Sequence, residues 1–179
     1  MTSRRIVLPT LSNWAEQHIT ALFKTTDEQT FDELFDNTFL KDAKIIVNGH
    51  HLSREQYRKQ LLSAKGLEEG AQVAYTGAVE VPDNADQPDD SGNVGLFLQA
   101  TIDEKFLVLG APESFTVTAS YNLTIVQDPS APKPPKGTVG GDYDSRRISV
   151  LSKVTVDKRN PIVFPGGLGP AVPSQGSSA

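Results

Sequence analysis

The chain contains no cysteine. That removes disulfides, thiolate metal sites and a cysteine nucleophile together, and it suits a reducing compartment. It also lacks a basic excess: 17 lysines and arginines stand against 22 aspartates and glutamates, for a net charge of −5. A sequence-independent grip on nucleic acid or on an anionic membrane surface needs a positive face, so neither is an expected partner. Long apolar runs are missing as well. Behind Arg4 and Arg5, the stretch Ile6-Val7-Leu8 stops at Pro9. It is too short for a secretory signal, and no run reaches membrane-spanning length. The expectation is a soluble cytoplasmic protein. Metal-binding patterns are also lacking. The four aspartates of residues 82–93 do not have calcium-loop spacing. Adjacent His50 and His51 on a turn, with Asp42 nearby, do not converge on one ion. No metal and no cofactor are expected.

What is present falls into two halves. Leu11, Trp14, His18, Leu22 and Phe23 recur at helical spacing after Pro9 and predict a helix over about 9–24. Thr26 and Gln29 read as a capping box for a second helix, whose buried stripe is Phe31, Leu34, Phe35 and Phe39. Ala43 to Val47 is a short β-branched strand ended by the Asn48-Gly49 turn. Ser53 and Gln56 cap a third helix, with Leu52 and Tyr57 as its hydrophobic staple and Gly66 at its close.

From Ala71 onward the period changes from 3.6 to 2. Val73, Tyr75, Gly77, Val79 and Val81 form one alternating set, and Leu96, Leu98, Ala100 and Ile102 a second. Phe115, Val117, Ala119, Tyr121, Leu123 and Ile125 form a third, and Ile148, Val150, Val154 and Val156 a fourth. Each predicts a long strand with one buried face, hence an antiparallel sheet covered on one side. Helices first and strands later give an α+β layout. Trp14 and Phe35 are expected on the concave side. The other face, largely Thr, Ser, Asn, Gln and Lys with Phe97 and Leu151 as its large apolar residues, predicts a monomer or a weak homodimer. Residues 1–159 read as one domain with mobile loops at 82–93 and 128–145, followed by a Pro/Gly/Ser-rich tail over 160–179. Part of that tail (Ile162, Val163, Phe164, Leu168) is apolar enough to lie in a groove. Pro132-Lys133-Pro134-Pro135 is a minimal polyproline core of a kind common in linkers. Asn122-Leu123-Thr124 matches a glycosylation acceptor but sits mid-strand.

The order helix, helix, strand, helix, then long antiparallel strands resembles the nuclear transport factor 2-like superfamily, particularly its SnoaL-like branch. By element order the likeness covers about residues 10–157. By residue pattern it covers 31–62: Phe31 to Phe39, Asp42-Ala43 leading into Ile45-Ile46-Val47, Gly49, and the Ser53-capped helix. The resemblance implies a cone-shaped half-barrel whose curved sheet wraps the first helix and leaves a pocket at the open end. It also implies a wide range of functions: isomerases, dehydratases and polyketide cyclases, but transport factors and association domains too.

Enzymes of that family set an acid or base inside the cone. In the steroid-isomerase type it follows a segment like Asp42-Ala43, which places it near Val47, a residue that carries no proton. The predicted inward strand faces hold no carboxylate or histidine, subject to register, since a slip of one residue exchanges the two faces. Candidate catalytic groups are therefore His18, Tyr75 and Tyr121, with Asp42 and Glu80 as carboxylates to be located. Expected ligand-binding residues are Trp14, His18, Tyr75, Leu98, Val117 and Tyr121. An apolar inner face with tyrosine hydroxyls is the make-up of a ligand pocket. The first expectation is binding of a small apolar ligand without turnover. The second is a cofactor-independent isomerase, dehydratase or cyclase acting on a polyketide- or terpenoid-like substrate, favoured by a buried ionisable group beside the tyrosines. The third is a protein-interaction module, favoured by a filled cone.

Overall fold

A computed structural model describes residues 8–65, 68–108, 111–131 and 144–162. Helix α1 (Leu11–Lys24) starts at Thr10, whose hydroxyl accepts from the Asn13 amide, and the Glu80 carboxylate accepts from the Ser12 amide at 2.7 Å. Helix α2 (Glu28–Thr38) is capped by Asp27, not by Thr26: the Asp27 carboxylate takes both the amide and the hydroxyl of Thr30. A carboxylate outcompetes a hydroxyl at this position because it also answers the positive end of the helix. Phe39 is still buried, but it begins strand β1 (Phe39–Val47) and does not end the helix. Asn48 and Gly49, both at positive φ, turn β1 tightly into β2 (His50–Leu52). Ser53 and Gln56 then form the reciprocal capping box of α3 (Arg54–Lys65). Gly66, the polyproline core and most of the tail lie outside the described residues.

Strands β3 (Glu68–Pro82), β4 (Gly92–Val108), β5 (Ala111–Gln127) and β6 (Arg146–Arg159) complete a six-stranded sheet in the order β2-β1-β6-β5-β4-β3. The sheet is mixed, because β1 lies parallel to β6 while the other pairs are antiparallel. It is not closed into a barrel. Helix α1 crosses the inner face of β3 and β4, and α2 and α3 cover β1. Phe31, Phe35, Phe39 and Tyr57 stack in sequence between these helices and the sheet, with ring centres 4.8 to 5.8 Å apart along the chain of contacts.

Two bulges change which residues face inward. In β3 the register slips between Tyr75 and Gly77, so Val73 and Tyr75 pack on the core while Val79 and Val81 are 64% and 61% exposed. In β6 the pairing steps from Ile148 to Val150, leaving Ser149 as the extra residue. Beyond it, Leu151, Lys153 and Thr155 turn inward, and Val154 and Val156 stand in solvent. A bulge reverses the side-chain phase of everything after it. Strict alternation had placed Val79, Val81, Val154 and Val156 inside and Leu151 outside; all five are reversed. The outer face is consequently more apolar than expected.

One end of the molecule is closed by Arg146, which is fully buried. Its guanidinium pairs with Asp144, donates to the carbonyls of Pro9 and Asp89, and lies 5.6 Å from the Trp14 ring centre. This single side chain ties the start of α1, the β3–β4 connection and the segment before β6 together.

Candidate functional site

At the opposite end, beyond the C-terminal half of α1, the layers do not close. A cavity of about 110 Å³ lies between α1, α3 and the inner face of β4, β5 and β6. Its apolar wall includes Ile19, Leu22 and Phe23 from α1, Leu61 from α3, and Ile102, Phe115 and Val117 from the sheet. Its polar residues are Tyr57, Gln60, Tyr121, Lys153, Thr155 and Asp157.

The polar groups are placed by strand register. Tyr121 pairs with Lys153, Ala119 with Thr155, and Val117 with Asp157 across β5 and β6. The β1–β2 turn fixes β6 at this point. The Asn48 amide donates to the Lys153 carbonyl at 2.8 Å, and the Asn48 side chain both donates to the Thr155 carbonyl and accepts from its amide. Tyr57 enters from α3, and its hydroxyl hydrogen-bonds that of Tyr121. Burial pushes both phenols above their ordinary range, so they remain neutral hydrogen-bonding groups near neutral pH.

Lys153 is only 7% exposed. Its ammonium sits 5.2 Å from the Tyr121 ring centre, and among the described residues it has no hydrogen-bond or ion-pair partner. Burial lowers its pKa to about 8, against a raising influence from Asp157, an exposed carboxylate at the rim. The Thr155 hydroxyl is buried and likewise has no partner. The cavity thus holds an ammonium without a direct partner among the described residues, answered only by the charge of Asp157 at the rim, and a buried hydroxyl that is unsatisfied, where buried polar groups are nearly always satisfied.

Of the six residues expected to line a single pocket, Val117 and Tyr121 border this cavity. Trp14, His18, Tyr75 and Leu98 do not. Trp14 and Leu98 are core, each 1% exposed. His18 packs on the Trp14 ring at 4.2 Å, and its Nδ1 lies 3.0 Å from the Thr38 hydroxyl. Burial lowers its pKa to about 4, with Asp144 raising it and Arg147 and Arg146 lowering it. Tyr75 donates to the Glu16 carbonyl and pairs with the Thr20 hydroxyl, tying β3 to α1. His18, Tyr75 and Tyr121 therefore do not line one cavity, although Tyr75 is near enough to Tyr121 to raise its pKa. Asp42, His50 and His51 are exposed, and Glu80 is committed to capping α1. No cluster of metal-ligating side chains occurs among the described residues.

The residues that strand alternation missed are Lys153, Thr155 and Asp157. Their signal was present but weak. The adjacent apolar pair Val150-Leu151 breaks alternation, as Gly77 does inside β3, and either break marks a change of phase.

No protein-family profile matches the chain, and no curated protein matches it by sequence. Solved structures do match. A Novosphingobium aromaticivorans protein provisionally assigned as a scytalone dehydratase superposes with a TM-score of 0.54 at 13% identity, over 87% of this chain and 92% of that one. The Kfla4162 protein from Kribbella flavida gives 0.54 at 12% identity, over 83% and 89%. An NTF2-like protein of unknown function from Exiguobacterium gives 0.46 at 15% identity, over 79% and 97%. The chain has the nuclear transport factor 2-like fold.

Proposed function

We propose that the protein binds a small, largely apolar molecule in the cavity between α1, α3 and β4–β6. The observation that carries this reading is the cavity itself, an unfilled apolar space with a few convergent polar groups. Its enclosed volume, below the roughly 150 Å³ of an apolar cavity that accepts benzene, limits the ligand to about one aromatic ring with part of it in the open mouth. The natural test is titration with toluene, followed by amide chemical shifts. Shifts should concentrate at Ile19, Leu22, Tyr57, Ile102, Val117 and Tyr121. Val117→Phe, which fills the space from β5, should weaken toluene binding about tenfold or more. Shifts confined to the outer face of the sheet would refute the pocket.

One observation favours turnover as a second reading. Lys153 is a buried ionisable group beside the tyrosines, and a pKa of about 8 leaves a neutral fraction able to take a proton at neutral pH. A Tyr57 or Tyr121 hydroxyl would donate to a carbonyl or leaving oxygen on the same ligand. This is the chemistry of a cofactor-independent isomerase or dehydratase, and one structural neighbour carries a dehydratase assignment.

A further inference from the structure

We propose that the cavity selects a compact apolar acid, whose carboxylate pairs with the Lys153 ammonium and accepts from the Thr155 hydroxyl while its hydrocarbon body lies against Leu22, Phe115 and Val117. This rests on the pocket reading and names the class of ligand for that site.

Two independent vacancies point to the same group. Lys153 has no directly paired carboxylate among the described residues: Asp157 acts on it through its charge from the exposed rim, and a buried cation normally recruits a closer anion. The Thr155 hydroxyl, two residues along the same inward face, is a buried donor with no acceptor. A carboxylate offers two oxygens and so answers both at once. A neutral alcohol or ketone would satisfy the hydroxyl and leave the ammonium uncompensated. An anion carrying several charges would lack cations to match it, because Lys153 is the only Lys or Arg among the described lining residues. Asp157 lies on the same strand face at the exposed rim. Its charge disfavours an acid head left there, so the carboxylate belongs deeper, at Lys153 and Thr155. The Tyr57–Tyr121 pair satisfies itself and remains as a polar wall.

The experiment compares benzoate, benzamide and toluene at pH 7 on the full chain, by calorimetry and amide shifts. Benzoate should bind about tenfold or more tighter than benzamide, because only it gains a charge-assisted contact. Lys153→Met keeps an unbranched side chain, one atom shorter, and removes the charge. It should weaken benzoate about tenfold or more and abolish the preference for benzoate over benzamide. Thr155→Val, which keeps the shape of the side chain and removes the hydroxyl, should weaken benzoate several-fold. The dispersed amide spectrum of each variant checks that it is folded. If benzamide binds as well as benzoate, or K153M keeps the benzoate preference, the acid-selective site is refuted while toluene binding leaves the pocket standing. If neither toluene nor benzoate binds the native protein, both readings fall.

Discussion

Lys153 is the residue at which stability and function oppose each other. In the unfolded chain it titrates near 10.5, and in the folded protein near 8. Below about pH 8 both states hold the proton, and the folded state bears the cost of burying it. Between about 8 and 10.5 the folded protein releases the proton while the unfolded chain keeps it, so stability rises with pH across that window. Lys153→Met should abolish this rise and stabilise the protein at pH 7 by on the order of 3 kcal/mol. Chemical denaturation of both proteins between pH 7 and 10 is the check, and parallel pH profiles would show that Lys153 is not desolvated. His18 acts at the other end of the pH scale. Held neutral by burial, it contributes stability that is complete above about 6.5 and lost as pH falls toward 4.

At the scale of elements, the aromatic run from α2 through β1 to α3 joins core and site. Phe35 is fully buried and contacts Phe31, Phe39 and Tyr57, while Tyr57 carries one of the cavity hydroxyls. Phe35→Ala should therefore cost about 3–5 kcal/mol and also loosen the Tyr57–Tyr121 contact. A loss below about 1 kcal/mol in urea unfolding would contradict the packing described. This element order was legible without coordinates because its signals are local: the Ser53–Gln56 box, the Asn48-Gly49 turn, and apolar spacing of 3 and 4. The places of β3 through β6 were legible from their alternation, though each strand runs beyond its alternating set, β4 covering Gly92–Val108 where Leu96 to Ile102 marked it. Their facing was not. A bulge at Ser149 costs a single ladder position and leaves almost no mark in composition, yet it decides whether Lys153 or Val154 meets the core.

For the whole molecule, that change of facing creates an apolar outer surface. Val79, Val81, Phe97, Val154 and Val156 are each 61–64% exposed, and they lie on the face of the sheet opposite the helices. Patches of this kind favour association. The weak pairing expected from a polar outer face is thus replaced by a firmer expectation: sedimentation at tens of micromolar should show self-association, and Phe97→Lys, central on β4, should reduce it without altering the toluene site. A native protein that stays monomeric through that range would show the patch to be inert.

The sequence by itself determined the class of fold, the Ser53–Gln56 cap of α3, the β1–β2 turn and the aromatic core, because each is set by residues within a few positions of one another. It also excluded disulfides and cysteine chemistry through the absence of cysteine. Tertiary structure alone decided the site. The alternating apolar residues of β3 and β6 are compatible with either face inward, and only pairing with β4 and β5 places the bulges. Once placed, they bring Lys153 and Thr155 against Tyr121 and leave His18 and Tyr75 as supports for α1. The physical reason is that a strand's phase is a cooperative property of its neighbours, whereas a helix cap or a tight turn is a property of its own residues.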